Sequence, residues 1–431
     1  MSDILRQTIQ KNRAGACIAL PSVCSAHGDV LTAALLLAKE NDQPLIIEAT
    51  SNQVNQNGGY TGMRPADFVA FVRQIADKTG FEHSRIIFGG DHLGPQVWRA
   101  QPVEIAMEKA KVLVAEYVKA GFTKIHLDCS EGCLGEPAQV EDTTSAARAA
   151  QLAVICEEHA PDPDKISYMV GTEVPPPGGA RGVGEETIHP TTPDNAKTTL
   201  LAHFTAFDAA GISAAKSRIA ALVVQPGVEF SPSHIDHLPK GGNAGLRAML
   251  APYEGVCFEA HSTDYQHPQA YKDLAEMGFA IHKVGPALTF AYRQAIYALD
   301  GLLSTLQPDT RTVAHLPDVM ENLMQENPDH WVRHYHGDAQ VLRLLRHYSY
   351  ADRIRYYWAQ PQAEAAVLEL LRTIDAAHIP EPLWMQFFGA ETCARAAILL
   401  QAGYTSTESR ILAEIQTALA PYFFDYQGKS A

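Results

Sequence analysis

Eight short apolar runs, each followed by a longer amphipathic stretch, limit this chain to few folds. The runs are ACIALPSV, PLIIEAT, RIIFGG, KIHLDC, KISYMVGT, IAALVVQP, VCFEAH and FAIHKVG. Their near-continuous apolar character suits parallel strands covered on both faces rather than half-exposed hairpins. The stretches between them read as helices. In QPVEIAMEKAKVLVAEYVKAG, the residues Val103, Ala106, Met107, Ala110, Leu113, Val114, Tyr117 and Val118 recur every three or four positions, and Gly121 offers a stop. Strand–helix alternation repeated eight times predicts a (β/α)8 TIM barrel over residues 1–305. A doubly wound sheet is the alternative, but no GxGxxG follows the first run.

From residue 306 to 431 the chain becomes rich in Leu, Arg, Ala and Tyr without a convincing strand, which predicts a helical extension packed on the barrel. Within it, HYSYADRIRYYW reads first as an amphipathic helix laying aromatics on the barrel. The second reading gives Arg353 or Arg355 a phosphate to bind.

The chain has 431 residues, 46% of them hydrophobic, so a large core is affordable. A formal charge of -15 argues against nucleic-acid or anionic-membrane partners, which need a basic face. A small anionic substrate needs only a few local cations and stays compatible. The polar start MSDILRQTIQKNRAG and the lack of any apolar run near about 20 residues predict a cytoplasmic protein. Seven scattered cysteines with no CxxC pair read as reduced thiols.

In such a barrel the reactive groups gather where the strands end. Those positions carry Glu48, the adjacent pair Asp91 and His92, Asp128 with Ser130, Glu173, Gln225, Glu259 with His261, and Lys283. So many ionisable groups on one rim favour a functional site over a matched ion-pair network. Imidazoles from His92 and His261, the Glu173 carboxylate and the Gln225 amide oxygen make an open N/O set for a divalent ion, Zn2+ first, with Mn2+, Co2+ or Ni2+ as alternatives. Asp91 is then the proton-moving neighbour. Lys283 is an ion-pair residue in the first reading and a Schiff-base lysine in the second, because nearby carboxylates keep a lysine protonated. The loop at residues 51–63 is polar and Gly-rich, and its Asn52, Gln53 and Asn55 offer hydrogen bonds to hydroxyl groups. The loops EVPPPGGARGVGEETIHPTTPD and PGVEFSPSHIDHLPKGGN are long enough to close over a ligand, and their His189, His234 and His237 read as solvated.

The blocks IEATSNQVNQNGGYTGM, GGDHLGP, KIHLDCS, VGTEVPPPGG, VVQPGVEF, FEAHSTDYQ, KVGPALTFAYRQAI and DRIRYYW strongly resemble the GatZ/KbaZ family over residues 14 to 358. That family comprises companion subunits of class II D-tagatose-1,6-bisphosphate aldolase in bacterial galactitol and N-acetylgalactosamine catabolism. The resemblance implies a barrel related to the class II aldolases. It makes Asp91 the catalytic acid, His92 and His261 zinc ligands, and Glu173 a carboxylate able to reach the ion. Beyond these, Asp128, Glu173 and Lys283 are expected in the catalytic set, and Glu48, Asn52, Ser130, Ser262 and Arg353 in the substrate-binding set.

The departures are specific. Gln225 stands nearest the aldolases' third zinc histidine, HSTDY replaces their Gly-Gly-Ser phosphate cradle, and Gly285 replaces their strand-eight Asn. Some family members are described as non-catalytic partners, others as enzymes interconverting tagatose 6-phosphate and fructose 6-phosphate. The resemblance therefore implies a metal-dependent 4-epimerase of a ketohexose phosphate first, a stabilising partner of a class II aldolase second, and an aldolase acting on tagatose 1,6-bisphosphate third. It leaves the oligomeric state open.

Overall fold

The structure is a computed structural model that describes residues 1–172, 188–241 and 244–424. Each of the eight apolar runs is a strand. They are β1 (Leu20–Cys24), β2 (Leu45–Thr50), β3 (Ile86–Leu93), β4 (Lys124–Leu127), β5 (Ser167–Val170), β6 (Ile219–Val223), β9 (Cys257–Ala260) and β10 (Phe279–Val284). Two further short strands, β7 (Glu229–Phe230) and β8 (Ile235–Asp236), form an antiparallel hairpin in the loop after β6. The eight long strands are parallel and close into a barrel, with β1 between β10 and β2.

The helical stripe read between residues 101 and 121 is the helix Val103–Lys119. It buries Ala106, Met107, Ala110, Leu113, Val114, Tyr117 and Val118 against the barrel. Gly121 follows it with φ of 97°, a backbone state that Gly adopts without steric cost.

The barrel interior is graded along its axis. At the N-terminal end of the strands, Leu20, Ile46, Ile87, Met169, Ala221, Cys257 and Ile281 meet Met1, Leu5 and Ile9 in a separate apolar cluster. The last three come from the segment of the helix Asp3–Arg13 and its start, so this helix plugs the bottom. Above that layer sit buried charges, and above them the imidazoles.

Past the helix Pro286–Leu306, the described residues contain helices and no further strand: Leu316–Glu326, Ala339–Tyr348, Pro361–Asp375, Glu381–Gln401 and Ser406–Leu419. The last of these packs on both Pro286–Leu306 and Gly28–Glu40, and its Gln416 amide donates to Ala33 O at 3.2 Å. One apolar cluster runs from Ala19 to Phe424, joining barrel and C-terminal helices. The HYSYADRIRYYW segment differs from its reading as a single helix. A helix ends at Tyr348, Asp352 takes φ of 44°, and a 3-10 turn spans Arg353–Tyr357. No helix among the described residues is long and apolar enough to cross a membrane.

Candidate active site

Successive side chains on a strand point to opposite faces, so an Asp and a His side by side should not share one site. A bulge resolves this. The pairing of β3 with β4 slips between Gly90 and Leu93, and His92 takes φ of 48°. Asp91 and His92 consequently both line the cleft at the barrel mouth. The glycine before them is a clearance: a Cβ on Gly89 would lie 2.7 Å from Cγ of Glu48, whose side chain crosses it.

Three imidazoles meet at the base of the cleft, which His92 and His261 line and behind which His126 is fully buried. The ring centroids of His92, His126 and His261 are 5.0, 5.3 and 5.0 Å apart. Each ring has one nitrogen edge held by a carboxylate. His92 Nδ1 lies 2.7 Å from Asp128 Oδ2, His126 Nδ1 lies 2.9 Å from Asp91 Oδ1, and His261 Nε2 lies 2.9 Å from Glu259 Oε1. Carboxylates used this way fix the tautomer and aim the opposite nitrogen. His126 Nε2 and His261 Nδ1 are buried and have no hydrogen-bond partner. Burial pulls the pKa of both rings down, so both are neutral imidazoles.

Asp91, His92, His126 and His261 each place one ligand atom within 4.8 Å of the others. Three imidazoles and one carboxylate fit a divalent ion that accepts N/O ligands.

The charges beneath agree with that fit. Lys124 bridges Glu48 and Glu259, the latter at 2.8 Å, with all three side chains fully buried. Lys283 pairs with Asp91, approaches Glu48 at 3.7 Å and lies 3.4 Å from His261 Nε2. Burial alone would lower the Lys283 pKa, but Asp91 and Glu48 outweigh it and raise it. Lys283 is therefore an ammonium paired with Asp91, not a neutral amine ready for a Schiff base. Acidic side chains outnumber ammonium groups here, Glu48, Asp91, Asp128 and Glu259 against Lys124 and Lys283, which suits a bound cation.

The remaining sequence candidates fall in different places. Asp128 is behind His92 and also accepts from the backbone N–H and hydroxyl of Ser130, so both residues steady a ring rather than face the cleft. Glu48 lies under the site within the charge layer. Asn52 and Ser262 line the cleft, joined by Gln53, Thr61 and Phe230 from the loops after β2 and β6. Gln225 does not join the imidazoles; its Oε1 accepts from the N–H groups of Gly227 and Val228 at 2.7 and 3.0 Å, closing a turn of its own loop. Arg353 turns away from the cleft to donate to His330 O, whereas Arg355 lines it. Glu173 lies outside the described residues. His189, His234 and His237 are exposed.

Sequence reading missed His126 and the role of Lys124. A signal existed: Lys124, His126 and Asp128 alternate along one buried strand, which puts all three on the interior face. Backbone strain also concentrates here. Five non-glycine residues among those described have positive φ: His92 and Ser262 line the cleft, Tyr265 packs on its Phe230, Asp352 accepts from its Thr289, and Asp42 lies elsewhere.

The family model for D-tagatose-1,6-bisphosphate aldolase subunit GatZ/KbaZ-like proteins matches residues 5–426. The chain belongs to this GatZ/KbaZ-like family. A crystal structure from Sinorhizobium meliloti 1021, described as a probable tagatose 6 phosphate kinase, is 44% identical, with a TM-score of 0.83 over 94% of this chain and 99% of that one. The YdjI aldolase from Escherichia coli K12 aligns at 14% identity and a TM-score of 0.41, over 86% of this chain and 96% of that one. A putative fructose-1,6-biphosphate aldolase from Coccidioides immitis aligns at 15% and 0.42, over 87% and 96%. Likeness at the level of these two carries no information about activity.

Proposed function

We propose that this GatZ/KbaZ-like protein is a metal-dependent enzyme that epimerises C4 of a ketohexose phosphate, interconverting D-tagatose 6-phosphate and D-fructose 6-phosphate. The observation that carries the reading is the triangle of His92, His126 and His261 gathered around Asp91, with His92, His261 and Asp91 lining an open cleft. Buried imidazoles with an unpaired nitrogen also occur singly, at His27, His203 and His282, but among the described residues only here do three converge on one carboxylate. Held by His92, His126 and His261, a divalent ion supplies Lewis-acid polarisation of a ketose carbonyl.

The protein's own groups supply the rest. Asp91 is an anion paired with Lys283, and its Oδ2 accepts from the Cys24 thiol at 3.4 Å. In a retro-aldol route, the C4 hydroxyl loses its proton as the C3–C4 bond breaks, and re-addition to the other face of the aldehyde inverts C4. Asp91 is placed to take that proton and return it. Tyr60 and Tyr356, ring centroids 4.7 Å apart, and Trp358 wall the cleft against water.

The test is conversion of D-tagatose 6-phosphate to D-fructose 6-phosphate by the purified chain alone, after chelation and with Zn2+, Mn2+, Co2+ or Ni2+ restored. Metal-dependent conversion is expected. No conversion with any of these metals overturns the reading.

A second reading, a partner that stabilises a class II aldolase without turnover, is favoured by the family's description as an aldolase subunit. It predicts that the chain raises the melting temperature of such an aldolase while showing no turnover of its own.

A further inference from the structure

A cleft built on imidazoles and carboxylates has no obvious means of recognising a phosphorylated sugar. Among the described lining residues, only Lys283 and Arg355 carry a permanent positive charge. Lys283 is committed to Asp91, Glu48 and His261 at the floor. Arg355 is different. Its guanidinium donates to the backbone carbonyls of Ala351 and Asp352, the latter at 3.0 Å, and to the Tyr356 hydroxyl at 3.0 Å. It also lies over the Tyr356 ring, 4.5 Å from the centroid.

All of these acceptors are neutral, and no carboxylate lies within ion-pair distance of Arg355 among the described residues. The nearest acids are engaged elsewhere. Asp352 is paired with Arg293 at 3.8 Å and accepts from the Thr289 hydroxyl at 2.5 Å. Asp264 accepts from the backbone N–H groups of Gly285 and Ala287 at 3.0 and 2.8 Å. A guanidinium that lines the cleft, is clamped by neutral acceptors and feels Asp352 and Asp264 only beyond ion-pair distance is pre-oriented for an anion that arrives from outside.

We infer that Arg355 is the residue that recognises the phosphoryl group of the substrate, and so sets the specificity of this cleft for a phosphorylated over a neutral ketose. The inference rests on the epimerase reading for its substrate and adds the group that selects it. The 3-10 turn Arg353–Tyr357 delivers the charge to the cleft lining, and two backbone carbonyls and Tyr356 fix its orientation.

The experiment compares the metal-loaded wild type with Arg355→Gln and Arg355→Lys on D-tagatose 6-phosphate and on neutral D-tagatose, with direct calorimetric titration of D-tagatose 6-phosphate into each. The ratio of kcat/KM for the phosphorylated over the neutral ketose is expected to fall roughly 100-fold in Arg355→Gln, chiefly through KM. Arg355→Lys is expected to recover part of the ratio, because it restores the charge without the fork. Calorimetry is expected to show a parallel loss of affinity. An unchanged ratio in Arg355→Gln, with unchanged affinity for the phosphorylated sugar, overturns the inference even if the epimerase reading holds. If the wild type turns over nothing, the epimerase reading fails separately, and the calorimetric comparison of wild type with Arg355→Gln still decides the role of Arg355. Melting curves of both variants separate misfolding from lost recognition.

Discussion

At the scale of single residues, the cluster divides its labour by which atom each carboxylate occupies. His126 faces the centre with an unpaired Nε2, so His126→Ala removes a ligand while leaving a small, already buried void. Metal retained through gel filtration, measured by elemental analysis, is expected to fall to near zero in this variant. Retention at the wild-type level would exclude His126 from the site. Asp128→Asn acts more gently, since Asp128 only holds the His92 ring at 2.7 Å; a drop of about 10–100-fold in metal affinity is expected by competition with a chelating dye. Asp91→Asn is expected to lower turnover by about 100-fold or more with less effect on bound metal, and an active Asn variant rules out proton transfer at that carboxyl.

Legibility in the sequence followed the same division. Asp91, His92 and His261 stand at strand ends after apolar runs, where a reader looks for reactive groups. His126 sits one alternation earlier, inside KIHLDC, and the eye assigns it to the core. Gln225 shows the opposite failure. It stands at a strand end, but loop geometry rather than position decides what its amide oxygen accepts.

At the scale of elements, β3 is the critical one. The structure makes Gly89 a clearance for Glu48 and the slip after Gly90 the device that turns two neighbouring side chains inward. Gly89→Ala pushes a methyl group onto the Glu48 side chain, which cannot yield because Lys124 holds its carboxylate. A loss of about 1–3 kcal/mol in denaturant unfolding is expected, with reduced metal affinity. Stability and metal affinity both at the wild-type level would show that Glu48 moves freely. The long-range pairing of Lys124 with Glu48 and Glu259 could not be read from spacing, because the three residues lie on β4, β2 and β9 and meet only when the barrel closes.

At the scale of the whole molecule, one apolar cluster joins barrel and C-terminal helices, and buried titratable groups outside the cleft contribute to the response to acid. His203, on the helix Pro193–Ala209, is fully buried with Nδ1 bonded to Thr199 O at 2.9 Å, and burial lowers its pKa from 6.5 to about 4. Below pH 6.5 the unfolded chain takes up a proton that the folded ring refuses until about pH 4. Stability contributed by the neutral ring is therefore complete above 6.5 and is lost as pH falls across that window, by roughly 3 kcal/mol in all. His203→Gln is expected to flatten this part of the pH–stability curve in denaturant titrations between pH 4 and 7. A slope equal to the wild type would place the acid sensitivity elsewhere. The eight-strand architecture was readable because every barrel strand is nearly continuous in apolar residues. The β7–β8 hairpin was not, because two-residue strands carry no periodicity.

The helix Asp3–Arg13 that seals the bottom of the barrel gives the site a single door. A sugar cannot enter at one end and leave at the other, so incoming and outgoing ligand must use the same mouth in turn. For a one-substrate, one-product interconversion this makes each sugar a purely competitive inhibitor of the other, with no state in which both occupy the barrel.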